Sequence, residues 1–109
     1  MSIVYLAPLE GVTDAVFRRI HHACFSGVHK YFIPFVSPTQ NLVFTARDFA
    51  AIAPEHNAGV PAVPQLLAKD AALFNWAAGE LAELGYSEVN LNLGCPSGTV
   101  VAKGRGAGF

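Results

Sequence analysis

Four short apolar runs recur along the chain at intervals of about thirty residues, the length of one strand–helix unit. They span residues 3–7, 30–35, 61–67 and 88–93 and are rich in the branched and aromatic residues that favour β-strands. Because helix-forming sequence separates at least two pairs of them, the pattern predicts strands alternating with helices. That order is typical of a parallel α/β sheet.

Two of the intervals carry clear helical patterns. Thr13 or Asp14 can cap the first predicted helix, and Asp70 can cap the second, which would end at Gly85. The first helix has one apolar face, formed by Val16, Ile20, Ala23 and Cys24. The second has Leu73, Ala77, Leu81 and Leu84 in helical phase. Between the second and third strands, residues 45–52 are the best helical candidate.

An open doubly wound sheet and a (β/α)8 barrel both fit this order, and the last strand helps to separate them. Strand alternation puts Val89, Leu91 and Leu93 on one face, and Asn90 and Asn92 on the other. Two inward asparagines near the carboxyl end of a strand suit the ligand-binding mouth of a barrel. A half-exposed edge strand stays open as the alternative. We predict the α/β class and the N-terminal half of a (β/α)8 TIM barrel.

The length of the chain sets how much of a barrel it can hold. Eight strand–helix units need roughly 240 residues, so 109 residues correspond to about four βα units. We interpret residues 1–109 as one partial, truncated barrel domain. Its hydrophobic content of 52%, with only 14% charged residues, is high for a free-standing domain of this size. We therefore expect part of its apolar surface to lack a cover.

Charge and targeting signals narrow the class of protein. A net charge of −1 argues against attraction of the whole chain to nucleic acid or an anionic membrane. Pro8 and Glu10 interrupt the N-terminal apolar run, so no signal peptide is predicted. The uncharged stretch 31–46 contains prolines and is shorter than the roughly 18 apolar residues of a membrane span. Cys24 and Cys95 lack metal-ligand spacing, which favours a soluble cytoplasmic protein without metal; a disulfide between them stays open.

Cys95 lies between Gly94 and Pro96, at the end of the last predicted strand. The glycine allows a close turn and the proline ends the strand, which would leave the thiol at the rim of the barrel. A nucleophilic cysteine needs a neighbouring base, whereas the four histidines lie in predicted helices or loops. A general acid needs only a protonated thiol, so the setting favours proton donation. A buried, small hydrophobic role stays open for Cys95 and is the better interpretation of Cys24.

The glycine-rich segment 98–108 follows this cysteine. Its G-x-G at Gly104 lacks the third glycine of a dinucleotide fingerprint, and it has no G-K-[ST] of a phosphate loop. We interpret it as a mobile loop that permits close approach of another group. Lys103 and Arg105 could hold a phosphate or a nucleic-acid backbone there. A solvated surface loop is an equally open interpretation.

Two stretches resemble signatures of the tRNA-dihydrouridine synthase family. Residues 6–18, LAPLEGVTDAVFR, are similar to the opening motif A-P-M-x-G-x-T-D-x-x-F-R. Residues 90–108, NLNLGCPSGTVVAKGRGAG, are similar to the signature N-x-N-x-G-C-P…G-x-G-A, whereas residues 28–58 match no motif. The resemblance implies an FMN-bearing (β/α)8 barrel followed by a helical domain. Such an enzyme uses NADPH to reduce the C5–C6 double bond of particular uridines in tRNA.

The resemblance also implies roles for residues of the second motif. A hydride would pass from flavin N5 to uracil C6, and Cys95 would protonate C5. Asn92 would lie beneath the flavin and the target uracil, unless it only hydrogen-bonds between strands. Lys103 and Arg105 would contact the tRNA.

The first motif and the third strand supply the implied flavin contacts. Pro8, Leu9 and Glu10 would lie against the flavin ring, largely through their backbone, and Gln65 would hydrogen-bond its edge. Leu9 replaces the commoner methionine, a change of similar volume. Glu10 stands where much of the family has a small residue, which bears on the choice of uridine.

Other classes of protein remain open. A dihydroorotate dehydrogenase also has an asparagine-rich strand that ends in Cys-Pro, but it would bind a free pyrimidine carboxylate. An ene-reductase of the old-yellow type is a weaker alternative. A third possibility is a non-catalytic half-barrel that pairs with itself or with another half. On the enzyme interpretation, we expect the 109-residue chain alone to be inactive and to self-associate through its uncovered apolar surface.

Overall fold

The computed structural model describes residues 2–109 and contains four parallel strands in chain order. They are β1 (Val4–Leu6), β2 (Val28–Val36), β3 (Ala62–Leu66) and β4 (Asn90–Leu91). Each strand pairs with the next one along the chain, and the sheet curls into a half-barrel. This confirms the predicted α/β half-barrel. The two outer strands are shorter than predicted, because each has only one neighbouring strand within the described chain.

Helices α1 and α3 begin where the sequence places their caps. They are α1 (Ala15–Cys24), α2 (Ala46–Ile52), α3 (Ala71–Glu83) and the single turn α4 (Gly98–Val101), with short 3₁₀ turns at Pro54–His56 and Gly106–Gly108. The Asp14 and Asp70 side chains accept hydrogen bonds from the first turns of α1 and α3, and Thr45 does the same for α2. Gly85 follows α3 with a φ of +102°, a conformation that favours glycine.

The core lies between the sheet and the helices α2 and α3. Ile33 and Leu66 point from the two central strands toward Ala77 and Leu81 of α3, and all four are fully buried. Ile52 at the end of α2 completes this cluster. The predicted phase of the α3 residues is thus confirmed, since Leu73 is buried as well.

Helix α1 packs through a polar and aromatic face and leaves its apolar face uncovered. Arg18 is fully buried, and the rings of His21 and His22 lie edge-on against the buried ring of Tyr31. Val16 and Ile20 are more than half exposed. Cys24 is also exposed, so its interpretation as a buried hydrophobic residue is wrong. The physical reason is that the polar side of α1 faces the sheet, because the Tyr31 hydroxyl lies 2.7 Å from His21 Nδ1. The apolar side, with Cys24, is therefore left uncovered.

Apolar side chains are also exposed beside the outer strand β1. Ile3, Val4 and Tyr5 are each about half exposed or more, as expected for a sheet whose first edge lacks a neighbour among the described residues. Within residues 2–109, no helix is both long enough and apolar enough to cross a membrane.

Candidate active site at the carboxyl ends of the strands

A chain of side-chain amides connects the ends of β3 and β4. Gln65 lies opposite Asn90 in the parallel register, and its Nε2 donates to Asn90 Oδ1 at 2.9 Å. Asn92 Nδ2 donates to Gln65 Oε1, also at 2.9 Å. The predicted inward asparagines therefore share one face with Gln65. Both ends of the Gln65 amide are engaged, which fixes the orientation of its plane.

The same Asn92 shapes the turn that carries Cys95. Asn92 Oδ1 accepts hydrogen bonds from the backbone N–H groups of Gly94 and Cys95, each at 3.0 Å. An asparagine side chain that bonds to the backbone two and three residues later stabilises a tight turn. The turn leaves the Cys95 side chain half-buried. The network thus runs without a break from Gln65 to the backbone of the cysteine.

Three of the four histidines have hydrogen-bond partners elsewhere in the fold, and the ring of the fourth, His22, packs edge-on against Tyr31. His21 bonds to Tyr31, His29 accepts from the N–H of Val4, and His56 donates to the carbonyl oxygen of Ala50. No histidine forms a hydrogen bond with Cys95 in the part of the chain that the structure describes. The arrangement contains no Cys–His pair of the kind that activates a nucleophile.

The glycine-rich segment folds back onto Cys95. The N–H of Ala107 donates to the Cys95 carbonyl oxygen at 3.0 Å, and Gly106 is buried with a φ of +55°. A β-carbon at Gly106 would lie 2.8 Å from that carbonyl oxygen and 3.0 Å from Cys95 Cβ. The glycine-rich segment therefore approaches Cys95 closely. It is not a plain loop, however, because it forms α4 and the final 3₁₀ turn.

Replacing Gly106 by alanine is expected to expose the Cys95 thiol. The added methyl group must push the loop away from Cys95, and strain of ~1–3 kcal/mol would favour loop opening by about 5- to 150-fold. The measurement is the rate of Cys95 alkylation by iodoacetamide in a Cys24→Ser background, because Cys24 is exposed. Gly104→Ala is the matched control: its φ is +71°, but its β-carbon would meet only Lys69 Cβ at 3.8 Å. Equal alkylation rates in the two variants would contradict the packing role of Gly106.

The basic residues of this segment differ in their surroundings. Lys103 is exposed, whereas Arg105 is half-buried and its Nε atom is buried without a hydrogen-bond partner. Arg105 lies beside the cysteine turn, because the residue that follows it, Gly106, is packed closely against Cys95.

The first motif forms a turn after β1. The N–H of Leu9 donates to Thr13 Oγ1 at 2.8 Å, and its carbonyl oxygen accepts from the backbone of residues 12 and 13. The Leu9 backbone is thus fully used within the turn, and its side chain is exposed. Pro8 is half-buried, and Glu10 forms an ion pair with Arg47. A cleft of about 360 Å³ opens beside this pair, between α1, α2 and the end of β2.

Sequence reasoning missed a network below this cleft. The Arg18 guanidinium donates to the carbonyl oxygens of Thr13 (2.7 Å) and Ala51 (3.1 Å) and to Asn57 Oδ1 (2.8 Å). Burial lowers the pKa of Arg18, while Asp14 and Tyr86 oppose that shift. The only signal in the sequence is the Phe-Arg pair that ends the first motif, and it does not reveal that the arginine is buried.

The amide groups at the ends of β3 and β4 are of a kind that fits the edge of an isoalloxazine ring. Gln65 and Asn92 are half-buried neutral amides, and each keeps one N–H beyond the bonds described above, which suits the carbonyl groups of such a ring. Leu9 exposes its apolar side chain in the turn after β1, which lies two strands away from β3 in the sheet. No group of three or more potential metal ligands occurs among residues 2–109.

The fold and the site define a parallel α/β half-barrel with polar chemistry gathered at the carboxyl ends of its strands, where barrel enzymes carry their active sites. The sequence model of the family described as dihydrouridine synthase (Dus) matches residues 5–109. The chain belongs to this family.

Curated relatives agree with this membership. A tRNA-dihydrouridine(16) synthase of Azotobacter vinelandii is 35% identical over 107 residues, which cover 93% of this chain and 34% of the relative. The tRNA-dihydrouridine(16) synthase of Ralstonia nicotianae is 34% identical, with 98% and 34% covered. A probable tRNA-dihydrouridine synthase of Rhodobacter capsulatus is 32% identical, with 95% and 32% covered. The chain spans about a third of the length of the curated relatives it matches.

Proposed function

We propose that a protein containing this chain reduces uridine in tRNA to 5,6-dihydrouridine, with Cys95 as the general acid. The observation that carries the proposal is the unbroken hydrogen-bond network from Gln65 through Asn92 to the turn of Cys95. It lies at the active-site end of a half-barrel in a chain of the dihydrouridine synthase family. A tRNA substrate implies action in the cytoplasm.

The chain offers a consistent set of flavin contacts. Gln65 would bind the ring edge through its amide, Asn92 would lie below the ring, and Pro8, Leu9 and Glu10 would border it. Because the Leu9 backbone is engaged with Thr13, its contact would come from the side chain. When bound, FMN reduced by NADPH would supply the hydride that uracil accepts at C6.

Cys95 would complete the reduction by protonating the neighbouring carbon. Hydride addition at C6 leaves a carbanion at C5, stabilised by the adjacent carbonyl, and the thiol proton moves to that carbon. The resulting thiolate recovers a proton from solvent, so that uracil gains one hydride and one proton. Asn92 holds the backbone of Cys95 and so sets the position of the thiol.

Family membership favours tRNA over the free pyrimidine of a dihydroorotate dehydrogenase or the enone of an ene-reductase. The uncovered apolar surface is also consistent with a non-catalytic half-barrel, but it does not account for the amide network at the strand ends.

The test is the reaction itself, in a longer protein that contains this chain. We expect such a protein, supplied with FMN and NADPH, to add two hydrogens to uridine in tRNA that lacks dihydrouridine, as measured by nuclease digestion and mass spectrometry. The 109-residue chain alone should give no turnover and should self-associate, because it spans about a third of its relatives. Turnover by the short chain would overturn the expected inactivity. Flavin reoxidation by a free pyrimidine, without any change in tRNA, would overturn the proposed substrate.

A further inference from the structure

Three basic residues lie in or beside one short segment at the active-site end. Lys69 follows β3 after two intervening buried residues, and it belongs to neither sequence motif. Its Cβ lies beside the glycine-rich segment, 3.8 Å from the position that a β-carbon at Gly104 would take. Lys103 and Arg105 flank that glycine. We call Lys69, Lys103 and Arg105 the basic corner.

The basic corner concentrates positive charge in a chain that is slightly negative overall. It holds three of the seven Lys and Arg residues, against eight Asp and Glu residues in the chain. Two of the other cations, Lys30 and Arg47, form ion pairs with carboxylates. No member of the basic corner forms an ion pair within residues 2–109.

The neighbouring groups leave the corner short of acceptors. Asp70 adjoins Lys69 in sequence, but its Oδ1 accepts a hydrogen bond from the Leu73 N–H at the start of α3. Arg105 Nε is buried and has no hydrogen-bond partner in the described chain. An excess of positive charge without carboxylate partners is relieved by a bound anion.

We propose that the basic corner binds backbone phosphates of the RNA strand next to the target nucleotide. The corner adjoins the cysteine turn, since Gly106 contacts both the carbonyl oxygen and Cβ of Cys95. Several separate cations beside a reacting base suit a polyanionic strand, whose phosphates position it without reading its sequence. Lys69 is thereby a substrate-binding residue supplied by the segment that follows β3. This inference rests on the proposed function, because it takes the RNA to be the substrate of Cys95.

The test is the salt dependence of RNA binding by this chain. Fluorescence anisotropy of labelled tRNA lacking dihydrouridine gives the affinity over a range of KCl concentrations. Loss of one phosphate contact should reduce the slope of log affinity against log salt by about 0.7–0.9. We expect this reduction in Lys69→Gln and its recovery in Lys69→Arg. Lys30→Gln is the matched control, because it removes the same charge from a site near the amino end of β2. This variant should keep most of the salt slope of the wild type.

The outcomes distinguish the two phosphates that the basic corner could bind, those of the RNA backbone and that of FMN. FMN titration, followed by flavin fluorescence, should give the same affinity for the wild type and Lys69→Gln. A loss of FMN affinity with an unchanged RNA slope would overturn the proposal in favour of the flavin phosphate. Absence of RNA binding by the wild-type chain at low salt would also overturn it.

The same experiments keep the two proposals distinguishable. If a longer protein reduces uridine but Lys69→Gln changes neither the salt slope nor the KM for tRNA, the basic corner fails and the proposed function stands. If the slope falls as expected but no uridine is reduced, the corner binds RNA and the proposed function fails.

Discussion

Cys95→Ala is expected to lower the rate of dihydrouridine formation by about 10²- to 10⁴-fold, the usual contribution of a general acid. The reason is geometric as well as chemical. Cys95 is held by Asn92 at the ends of the strands, while no histidine among residues 2–109 bonds to the Cys95 thiol. The alanine variant keeps the backbone N–H that bonds to Asn92, so the turn itself should persist. The measurement is single-turnover formation of dihydrouridine by a longer protein containing this chain.

The second cysteine provides the matched control for this experiment. Cys24 is exposed at the end of α1, so Cys24→Ala should keep the full rate. Reduction of bound flavin by NADPH should also be unchanged in Cys95→Ala, because the thiol acts only after hydride transfer to uracil. If Cys95→Ala formed dihydrouridine as fast as the wild type, another group would have to donate the proton. The role assigned to Cys95 would then be wrong.

Local signals predicted the elements of the fold well. Asp14, Thr45 and Asp70 each cap a helix with their own side chains, within three residues of the group they bind. Such signals act over a single turn and can be read directly from sequence. The strands were found for the same reason, because alternation and branched residues are local properties.

Burial on α1 could not be predicted in this way. The helical pattern groups Val16, Ile20 and Cys24 on one face, and that grouping is compatible with the structure. Which face meets the sheet depends on distant partners, the Tyr31 ring for His21 and Asn57 for Arg18. Periodicity measures the phase of residues within a helix and contains no information on these partners.

The candidate site shows the same difference between local signals, which the sequence reveals, and contacts with distant residues, which it does not. Alternation along β4 correctly placed Asn90 and Asn92 on one face. Their bonds to Gln65 depend on the register between β3 and β4, which residue types in one strand do not specify. The nearness of Lys69 to Gly104 likewise arises from two segments that are distant in sequence.

Arg18→Met is expected to have the largest effect on stability, a loss of about 2–4 kcal/mol in the free energy of unfolding. Methionine fills much of the volume but cannot donate hydrogen bonds. The Thr13 carbonyl oxygen and Asn57 Oδ1 would then lose a buried donor, whereas the Ala51 carbonyl oxygen keeps its bond from Asn57 Nδ2. Relief of the buried charge limits the loss, because burial of the guanidinium is itself unfavourable, as its lowered pKa indicates. Urea unfolding followed by circular dichroism measures the change.

The carbonyl groups at the end of α2 explain why a single arginine matters this much. The last carbonyl oxygens of a helix have no partner within it. Here His56 donates to Ala50, Arg18 and Asn57 donate to Ala51, and Tyr86 donates to Ile52 at 2.6 Å. Removing Arg18 leaves Asn57 held only by its donations to Ala51 and Ala53, so the loss should spread through the network.

Arg19 offers a matched control one residue away, because it is exposed on the same helix. Arg19→Met should change the free energy of unfolding by less than about 0.5 kcal/mol, as is usual for exposed positions. Arg18→Lys should fall between the wild type and Arg18→Met, since an ammonium group keeps the charge but lacks the planar fork that reaches three acceptors. If Arg18→Met and Arg19→Met unfolded at the same urea concentration, the carbonyl groups of α2 would not need Arg18. The turn after β1 would then be held by its bonds to Thr13 alone.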